Sequence, residues 1–572
     1  MKGNWHGLMR MAVVGGGLLA CAAGPVRADD PPPQDPPAEA DSAERSPDGR
    51  SDTDDASDIE LLELELPMVV SAARHEQAIA SAPYAVSVVT AADIRSAGAR
   101  SVPDALRLVP GVDVADLSFG NSAVSPRGLH GFLSRQTLVL VDGRQIFDSF
   151  FGGTVWGSWP FQLEDIERIE VIRGPAGVTW GANAMNGVIN IITKDPRDQL
   201  GLTLTGSGSS RGGQKEHLGY ALEDGKLRLR VSGEYEGSDG FARGRSLLRP
   251  LDDSYKGGRF SLHAIYEAGP NDTLTLSAGS SVVDDGFPPA LAAGLRPGHP
   301  RSSGHFVLGR WVHRFSSDNV LESTVYVNDF HVSPGIRSVD YRYQQFAFQV
   351  SHTFKPAEQH TLTWGVDTRA DLTDAGNSDP MLLSKGFVSS GIFGLYAHDE
   401  WRLSERWQLD VGARIDYETY GGFQPSGRAA LSYRLSDDSS LYGAVSRAFQ
   451  MPPAALRFLD VPFAEGLLHA VSDRELRAQT LVAYELGYRG RFHDVDVSLA
   501  GFWHEYFDLT TLSPRTGPPG LIALDEDNRA SGSLYGIELD GRYAVTRSLT
   551  LLGNYTYQQL NCRAIASNFG RR

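Results

Sequence analysis

From about residue 200 to the end of the chain, apolar and polar side chains alternate with a period of two. Between Trp407 and Tyr417 every odd-numbered residue is apolar, whereas Asp410, Arg414 and Asp416 are among the even-numbered residues between them. Successive side chains of a β-strand point to opposite faces, so such a segment predicts a strand with one apolar and one polar face. The fold must therefore place many apolar strand faces in an apolar environment and the opposite faces in a polar environment.

The connections between these segments fall into two classes. Tight turns at 223–226, 269–272 and 316–319 alternate with long polar stretches. The long stretches cover 238–256, 284–303, 374–389, 450–480 and 511–530. Short turns on one rim and long loops on the other are typical of an outer-membrane barrel, whereas a soluble β-sandwich lacks this alternation. We therefore predict a transmembrane antiparallel β-barrel, with roughly 17 strands readable from Gly201 onward.

The first 62 residues have a different character. Residues 1–28 resemble a secretory signal peptide, with a basic start, a short apolar run and the small-x-small cleavage pattern Val26-Arg27-Ala28. The residues before Cys21 also resemble a lipobox, so acylation of Cys21 is the alternative. Residues 29–62 are rich in Pro, Asp and Ser, which predicts a disordered acidic tether that cannot bury enough apolar surface to fold.

Composition excludes several classes of protein. The net charge of −17 and the pI near 5.4 argue against a nucleic-acid partner, because binding to phosphate requires clustered Lys and Arg. After the predicted signal peptide Cys562 is the only cysteine, so no intramolecular disulfide can form in the processed chain. The sequence has no P-loop, no zinc-protease motif and no nucleophile elbow, so we expect neither an enzyme nor a bound cofactor or catalytic metal.

Strand and helix signals mix between residues 74 and 198, which predicts a compact α/β unit before the barrel. The motifs in this part of the chain come in a fixed order. They are Val69–Arg74, Ala85–Thr90, Pro103–Leu106, Val109–Val112, Arg127-Gly128, Leu138–Gly143, Asp165–Pro175 and Trp180–Thr193. As an ordered series they resemble the plug domain of TonB-dependent outer-membrane receptors.

The barrel region resembles the same family in ordered pieces. These are Tyr396–Trp401, Asp410–Asp416, Ser446–Pro452, Tyr484–Tyr488 and Tyr535–Leu539. The resemblance implies an α/β plug inside a transmembrane antiparallel β-barrel, which closes at 22 strands in this family. We therefore expect residues 199–560 to form an incomplete, C-terminally truncated barrel, followed by an atypical tail at 561–572.

The resemblance also places a TonB box in the region 63–73. The predicted box is Glu65, Leu66, Pro67, Met68, Val69, Val70, Ser71 and Ala72. Its implied role is strand addition: an extended segment offers its backbone to an edge strand of TonB. The tether before it should leave this segment accessible from the periplasm. The alternative is that these residues form the first strand of the plug.

Two pairs of charged residues are candidates for locking the plug to the barrel wall. Glu485 and Glu538 alternate with aromatic or aliphatic neighbours, so strand parity turns them toward the lumen. By resemblance, Arg127 and Arg173 of the plug are expected to meet them there. The alternative is that all four charges are solvated in the lumen.

Candidates for contact with the transported ligand are aromatic. They are His130, Phe132, Phe147, Phe150, Phe151, Trp156 and Trp159, in the region where the family places its apical loops. Such rings could stack on an aromatic siderophore or a corrin, and the alternative is packing between plug and barrel. His469 lies where haem receptors keep a ligand, but the Asn-Pro-x-Leu element expected after it is absent.

The function implied by the resemblance is active transport of a scarce nutrient across the outer membrane. Ferric siderophore is the leading substrate, with cobalamin, copper or haem as alternatives. The expected partners are TonB with its inner-membrane energising complex, a small metal chelate and outer-membrane lipid. Two other classes remain for comparison: a signalling receptor, which needs a folded domain before the TonB box, and a passive porin, which has no plug.

Overall fold

The computed structural model describes most of the chain after residue 67. The described residues are 19–22, 68–79, 82–129, 131, 133–210, 212–241, 253–285, 300–333, 340–376, 386–458, 460–463, 468–472, 475–516, 522–546 and 549–564. The tether 29–62 and the first three residues of the predicted TonB box (Glu65, Leu66 and Pro67) lie outside these residues. His130, Phe132 and most of the predicted signal peptide and tail also lie outside them.

A five-stranded sheet forms the centre of the plug. The first strand of the chain, β1 (Leu19–Ala22), belongs to the barrel instead. The plug strands are β2 (Met68–Val69), β3 (Gln77–Ala78), β4 (Ala85–Thr90), β5 (Val112–Asp116), β6 (Ser122–Pro126), β7 (Thr137–Val141), β8 (Arg144–Gln145), β9 (Ile166–Arg173) and β10 (Gly187–Thr193). The sheet order is β4-β9-β10-β7-β8, in which only β10 and β7 are parallel, while β2–β3 and β5–β6 form separate antiparallel pairs.

Both faces of this sheet are covered, which explains its continuous apolar runs. In β7, Val139 and Val141 pack into one buried cluster, whereas Leu138 and Leu140 pack into another. The helices are short: α1 (Ala91–Ser96), α2 (Val102–Leu106) and α3 (Gly177–Trp180), with 3-10 turns at Trp156–Ser158, Leu163–Asp165 and Pro196–Gln199. Thr90 and Asp93 form a capping box at the start of α1, which fixes the turn out of β4.

Seventeen long strands among the described residues make up the barrel wall, which confirms the number read from the sequence. They are β11 (Gly201–Gly208), β12 (Gln214–Asp224), β13 (Leu227–Ser238), β14 (Tyr255–Glu267), β15 (Asp272–Asp285), β16 (Arg301–Ser316), β17 (Asn319–Ser333), β18 (Tyr341–Ala357), β19 (His360–Asp374), β20 (Phe387–Arg402), β21 (Trp407–Glu418), β22 (Gly422–Ser436), β23 (Ser439–Gln450), β26 (Gln479–Phe492), β27 (Val495–Thr516), β28 (Ile522–Thr546) and β29 (Leu549–Ala564). Between β23 and β26 lie α4 (Ala454–Phe458), β24 (Asp460–Phe463) and β25 (Leu468–Ser472).

The two terminal strands of the wall are joined through the short strand β1. Residues Leu19–Ala22 pair antiparallel with Leu549–Leu552, and the order of paired strands closes into a barrel through β1. This closure depends on a segment of the predicted signal peptide, so the incomplete wall stays a prediction for the processed chain. Backbone groups at a sheet edge pair with an available extended segment, here one from the region predicted as signal peptide.

The predicted division of the strands into two faces is confirmed. In β21, Val411 and Ile415 are exposed on the outside, whereas Asp410, Arg414 and Asp416 are buried in the lumen. The polar inner face surrounds the plug, and the apolar outer face matches the requirement of a lipid environment.

Two boundaries predicted from the sequence are wrong. The described residues of the stretch predicted as a loop at 511–530 belong to strands, because β27 and β28 continue as a paired ribbon from Thr511 with Asp527 to Thr516 with Ile522. The last strand also runs past the predicted boundary at residue 560, and Ala564 pairs with Ala530. In both places backbone pairing continues where the side-chain alternation has faded. None of the described helices has the length and apolar character needed to cross a membrane.

A charged residue on the outer face should destabilise the barrel according to its depth. Leu395 lies near the middle of β20 and is 47% exposed, whereas Phe387 begins the strand and is 58% exposed. We expect Leu395→Arg to lower the free energy of unfolding in lipid by about 2–4 kcal/mol, and Phe387→Arg by about 0–1 kcal/mol. Urea titration of the protein in vesicles, followed by heat-modifiable migration, measures both. Equal losses would contradict a lipid-facing outer surface.

Candidate functional site at the plug–barrel interface

Arg127 of the plug reaches two carboxylates of the barrel wall. It follows β6 directly, has a φ of 52° and is fully buried. Its Nε and Nη2 donate to the two carboxylate oxygens of Glu538, each at 2.9 Å, and Nη1 donates to Glu485 Oε2 at 2.5 Å. A guanidinium matches this forked geometry, because its donors lie in one plane.

Arg173 joins the same cluster from the end of β9. Its Nη1 donates to Glu538 Oε2 at 2.7 Å and to the carbonyl of Pro110 at 3.3 Å. The structure therefore brings together all four residues of the predicted lock, although Arg173 contacts Glu538 and not Glu485 in the described pairs. We call these residues (Arg127, Arg173, Glu485 and Glu538) the central ion cluster.

Two glycines give the carboxylates room to approach the plug backbone. A Cβ atom on Gly111 would lie 2.1 Å from Glu538 Oε1, and one on Gly174 would lie 3.0 Å from Arg127 Nη1. Both have positive φ, at 69° and 110°, which side chains other than glycine rarely adopt. These glycines therefore allow both the backbone turn and the close approach.

The surroundings of the central ion cluster keep its charges in place. Burial by itself would lower the pKa of Arg127, but the carboxylates of Glu485 and Glu538 raise that pKa above its ordinary value. The guanidinium also stacks over the ring of Phe502, 4.4 Å from its centroid. Glu485 accepts further hydrogen bonds from Tyr442 Oη at 2.7 Å and from the backbone N–H of Ala85 at 3.1 Å.

The described part of the predicted TonB box is packed into the plug. Met68 and Val69 pair with Gln77 and Ala78, and only Met68 is exposed. The fully buried carboxylate of Glu170 accepts hydrogen bonds from the backbone N–H groups of Val70 and Ser71, at 3.0 and 2.8 Å, and from the Ser71 hydroxyl at 2.6 Å.

Two further bonds hold the next residues. Trp180 Nε1 donates to the carbonyl of Ser71 at 2.8 Å, and Thr179 Oγ1 donates to that of Ala72 at 3.2 Å. The expectation that the whole predicted box is accessible is therefore wrong for Val69 to Ala72. The polar partners that hold this segment lie about 100 residues further along the chain. The position of the box next to a tether therefore does not predict that these residues are buried.

Family models for both parts of this architecture match the chain. The model described as "TonB-dependent Receptor Plug Domain" matches residues 78–188, and the "TonB dependent receptor-like, beta-barrel" model matches residues 195–572. The chain belongs to the TonB-dependent receptors. It is thus a receptor of the outer membrane and not an enzyme.

Curated relatives match both parts of this receptor. An iron-regulated outer membrane virulence protein of Vibrio cholerae is 26% identical over 532 residues, covering 86% of this chain and 77% of that protein. A vitamin B12 transporter of Photobacterium profundum is 25% identical over 503 residues, covering 83% of this chain and 76% of the transporter.

Solved structures share the fold. A siderophore receptor from Pseudomonas aeruginosa has a TM-score of 0.65 at 22% identity, with 85% of each chain covered. The alcaligin receptor from Bordetella pertussis has a TM-score of 0.66 at 19% identity, covering 88% of this chain and 85% of that receptor.

A second ion cluster, which sequence reasoning missed, fixes the start of the receptor's plug. Arg74 donates to both oxygens of Asp367 on β19, at 2.9 and 2.7 Å, and Arg414 on β21 donates to Asp367 at 2.6 Å. Burial lowers the pKa of Arg74, but Asp367 raises it to a net value above the ordinary one. Arg74 is the last residue of the first plug motif. Asp367 and Arg414 occupy lumen-facing positions in the alternation of their strands, and this alternation is the sequence signal that could have identified them.

Two barrel arginines, also missed, bind the backbone of the segment that leads into β4. Arg489 donates to the carbonyls of Ile79, Ala82 and Tyr84, and Arg428 donates to that of Pro83. The barrel wall thus satisfies these four plug carbonyl groups.

The aromatic residues predicted to face the substrate belong to the core. Phe147, Phe150, Trp156 and Trp159 are buried, and Phe151 is half-buried. Phe150 stacks on the barrel residue Tyr341 with centroids 4.6 Å apart, Phe151 meets the same ring edge-on at 5.3 Å, and Trp159 stacks on Phe330 at 5.6 Å. Phe147 packs instead into a buried cluster of plug residues. The alternative of plug–barrel packing therefore holds for Phe150, Phe151 and Trp159, because large rings in a Gly-rich stretch fit an interior as well as a surface.

Asp148 holds the loop that carries Phe150 and Phe151. Its Oδ1 accepts the backbone N–H groups of both residues, at 2.8 and 2.9 Å, and its Oδ2 accepts the hydroxyl of Tyr341 at 2.6 Å. Burial raises the pKa of this carboxyl to about 6, against the opposing effect of these hydrogen bonds. The loop conformation is thus tied to the barrel through one carboxylate.

The close approach at Gly111 can be tested against a matched glycine. Gly98 has a similar φ of 62°, but a Cβ atom there would meet nothing within 4 Å. We expect Gly98→Ala to cost about 1 kcal/mol from the backbone conformation alone. Gly111→Ala should cost at least twice as much, because its methyl group displaces Glu538 from Arg127.

Urea-induced plug release, followed by reactivity of a cysteine placed in the plug, gives both free energies. Equal costs at the two positions would contradict the proposed contact between the plug backbone and the barrel carboxylate.

Proposed function

We propose that the receptor imports a ferric siderophore across the outer membrane by a TonB-dependent mechanism. The observation that carries this proposal is the similarity to the iron-regulated protein of Vibrio cholerae, which covers plug and barrel and 86% of this chain. The similarity to a vitamin B12 transporter makes cobalamin the second candidate. In either case the protein binds and gates without changing covalent bonds in the ligand.

Energy from TonB would enter at the start of the plug. We place strand addition at Glu65 to Met68, because Met68 is exposed while Val69, Ser71 and Ala72 are buried. Tension on this segment would act on the pairing of Met68 and Val69 with β3, and then on the hydrogen bonds from Val70 and Ser71 to Glu170. Glu170 is therefore the proposed anchor whose release exposes the remainder of the box.

The proposed exit route follows a gap between plug and wall. A cavity of about 830 Å³ opens at the short-turn rim of the barrel, between the plug segments 86–90 and 107–110 and the barrel turns 402–408 and 436–440. This volume is within the range of small-molecule sites. Movement of the plug segment held by Arg428 and Arg489 would extend the gap toward the outer rim.

Transport assays with two labelled ligands distinguish the two substrate candidates. A host that lacks its own siderophore and cobalamin receptors, but retains TonB, would express the receptor. We expect uptake of iron from at least one chelate in a panel of catecholate, hydroxamate and carboxylate siderophores, and no uptake of labelled cobalamin. Cobalamin uptake without uptake of any ferric chelate would replace the proposed substrate.

Coupling to TonB can be separated from ligand binding by one substitution. Leu66→Pro removes a backbone N–H within the proposed strand and should abolish energised uptake, because strand addition depends on backbone hydrogen bonds. Ligand binding to whole cells should remain within about twofold, because the packed residues from Val69 onward are unchanged.

Glu65→Ala is the matched control, since it alters a side chain and leaves the backbone donor. It should retain uptake. Wild-type uptake by the Leu66→Pro variant would place the TonB contact elsewhere in the chain.

A further inference from the structure

We propose that His75, His398, Glu400 and Asp410 bind a divalent transition-metal ion of the Zn²⁺ class at the plug–barrel interface. His75 belongs to the plug, His398 and Glu400 to β20, and Asp410 to β21. No sequence pattern predicts a metal site here, because the four residues lie in three separate segments. The proposal does not depend on the identity of the transported ligand.

The strand geometry brings the four side chains together. Glu400 lies directly opposite Asp410 in the β20–β21 pair, and His398 is two residues before Glu400 on the same face. One ligand atom from each of His398, Glu400 and Asp410 lies within 4.8 Å of the others. His398 Nε2 is 2.9 Å from Asp410 Oδ2, and His75 Nε2 is 3.2 Å from Glu400 Oε1.

Two polar atoms of this group, Asp410 Oδ1 and His75 Nδ1, lack hydrogen-bond partners among the described residues. His398 Nε2 and Glu400 Oε1 each have one charged partner, which lies within the group itself. The side chains of His398 and Asp410 are only 7% and 3% exposed, so water cannot freely replace the missing partners. Unpaired buried polar atoms are costly, and a cation at this point would coordinate His398, Glu400 and Asp410 together.

The group holds two carboxylates, and the nearby guanidinium of Arg428 acts on Asp410 and His398. That guanidinium donates to the carbonyl of Pro83 and to Ser446 Oγ and lies over the ring of Tyr84, so its hydrogen bonds are made outside the group. Two imidazoles with two carboxylates form a mixed nitrogen–oxygen donor set, which suits tetrahedral Zn²⁺.

Another histidine–carboxylate group in the described structure lacks this charge balance. Glu164, His217 and Glu234 also lie close together. Glu234, however, already pairs with Arg259 at 2.6 Å and with Lys215 at 3.3 Å. A metal ion at that point would meet two cations beside one of its ligands, so we assign no site there.

A metal ion bound by the four residues would fasten the entrance of the plug to the wall. His75 is adjacent in sequence to Arg74, which pairs with Asp367 on β19, and it follows Ala72 by three residues. The metal would thus add a coordination bond to a segment that already carries an ion pair.

Titration of the intact receptor in detergent with Zn²⁺, in competition with a chromophoric chelator, tests this proposal. The protein carries Cys562→Ser and no histidine tag, so that an exposed thiol and a tag do not contribute. We expect one tightly bound equivalent near neutral pH, and affinity reduced at least about tenfold by His398→Ala, Asp410→Asn or Glu400→Gln.

His360→Ala is the matched control, because His360 on β19 pairs with Asp399 of β20 at 2.8 Å, outside the proposed site. Zn²⁺ binding should be unchanged in this variant. Heat-modifiable migration confirms that each variant is folded, and Glu400→Gln, at a half-buried position, supplies the result if the histidine variant does not assemble.

His75→Ala tests the contribution of the plug. Its affinity for Zn²⁺ should also fall at least about tenfold, and addition of Zn²⁺ should no longer raise the temperature at which the plug is released. The absence of a bound equivalent in the parent protein would overturn the proposal. So would equal Zn²⁺ affinities in the parent and the His398, Asp410 and Glu400 variants, and an unchanged affinity in His75→Ala would overturn the bridging of plug and wall.

Discussion

The position of the plug depends on arginines that are buried together with barrel carboxylates. Arg127 and Glu538 have side chains that are 0% and 1% exposed, so neither charge can be solvated if the other is removed. Breaking a buried pair on one side costs about 3–5 kcal/mol, although an intact pair adds little net stability compared with an apolar replacement. We therefore propose that the central ion cluster specifies where the plug sits and makes intermediate positions costly.

This arrangement suits a domain that must be held firmly and yet be displaced. Polar contacts with the wall are distributed around the plug: the central ion cluster on β26 and β28, Arg74 with Asp367 and Arg414 on β19 and β21, and the carbonyls held by Arg428 and Arg489. The lumen-facing residues of the strands supply these partners, while the outward-facing residues supply apolar contact with lipid. The same period-two pattern thus explains both the apolar outer surface of the barrel and its polar contacts with the plug.

Strand parity made the barrel predictable, because one residue step along a strand always changes the face. It also turned Glu485 and Glu538 toward the lumen, and the family resemblance supplied their partners Arg127 and Arg173. Aromatic composition gave no such guide. Phe147, Phe150 and Trp159 are buried against other core residues or the barrel wall, and their sequence context does not distinguish packing from ligand contact.

Contacts between segments that are distant in the chain could not be predicted from the sequence. The binding of Val70 and Ser71 by Glu170 depends on how the first plug segment crosses the central sheet, and the group around His398 depends on the register of β20 with β21. Both follow from the folded arrangement of segments that carry no shared local pattern. Backbone pairing also extended β27 and β28 through a stretch whose composition predicted a loop.

The most direct test of the account is a double-mutant cycle on Arg127 and Glu538. The free energy of plug release in urea is measured for the parent, Arg127→Ala, Glu538→Ala and the double variant, with all four barrels shown to be heat-modifiable. If this pair positions the plug, the double variant should lose at least about 2 kcal/mol less than the sum of the two single losses. Losses that add to within about 0.5 kcal/mol would contradict a direct energetic coupling between plug and wall at this point.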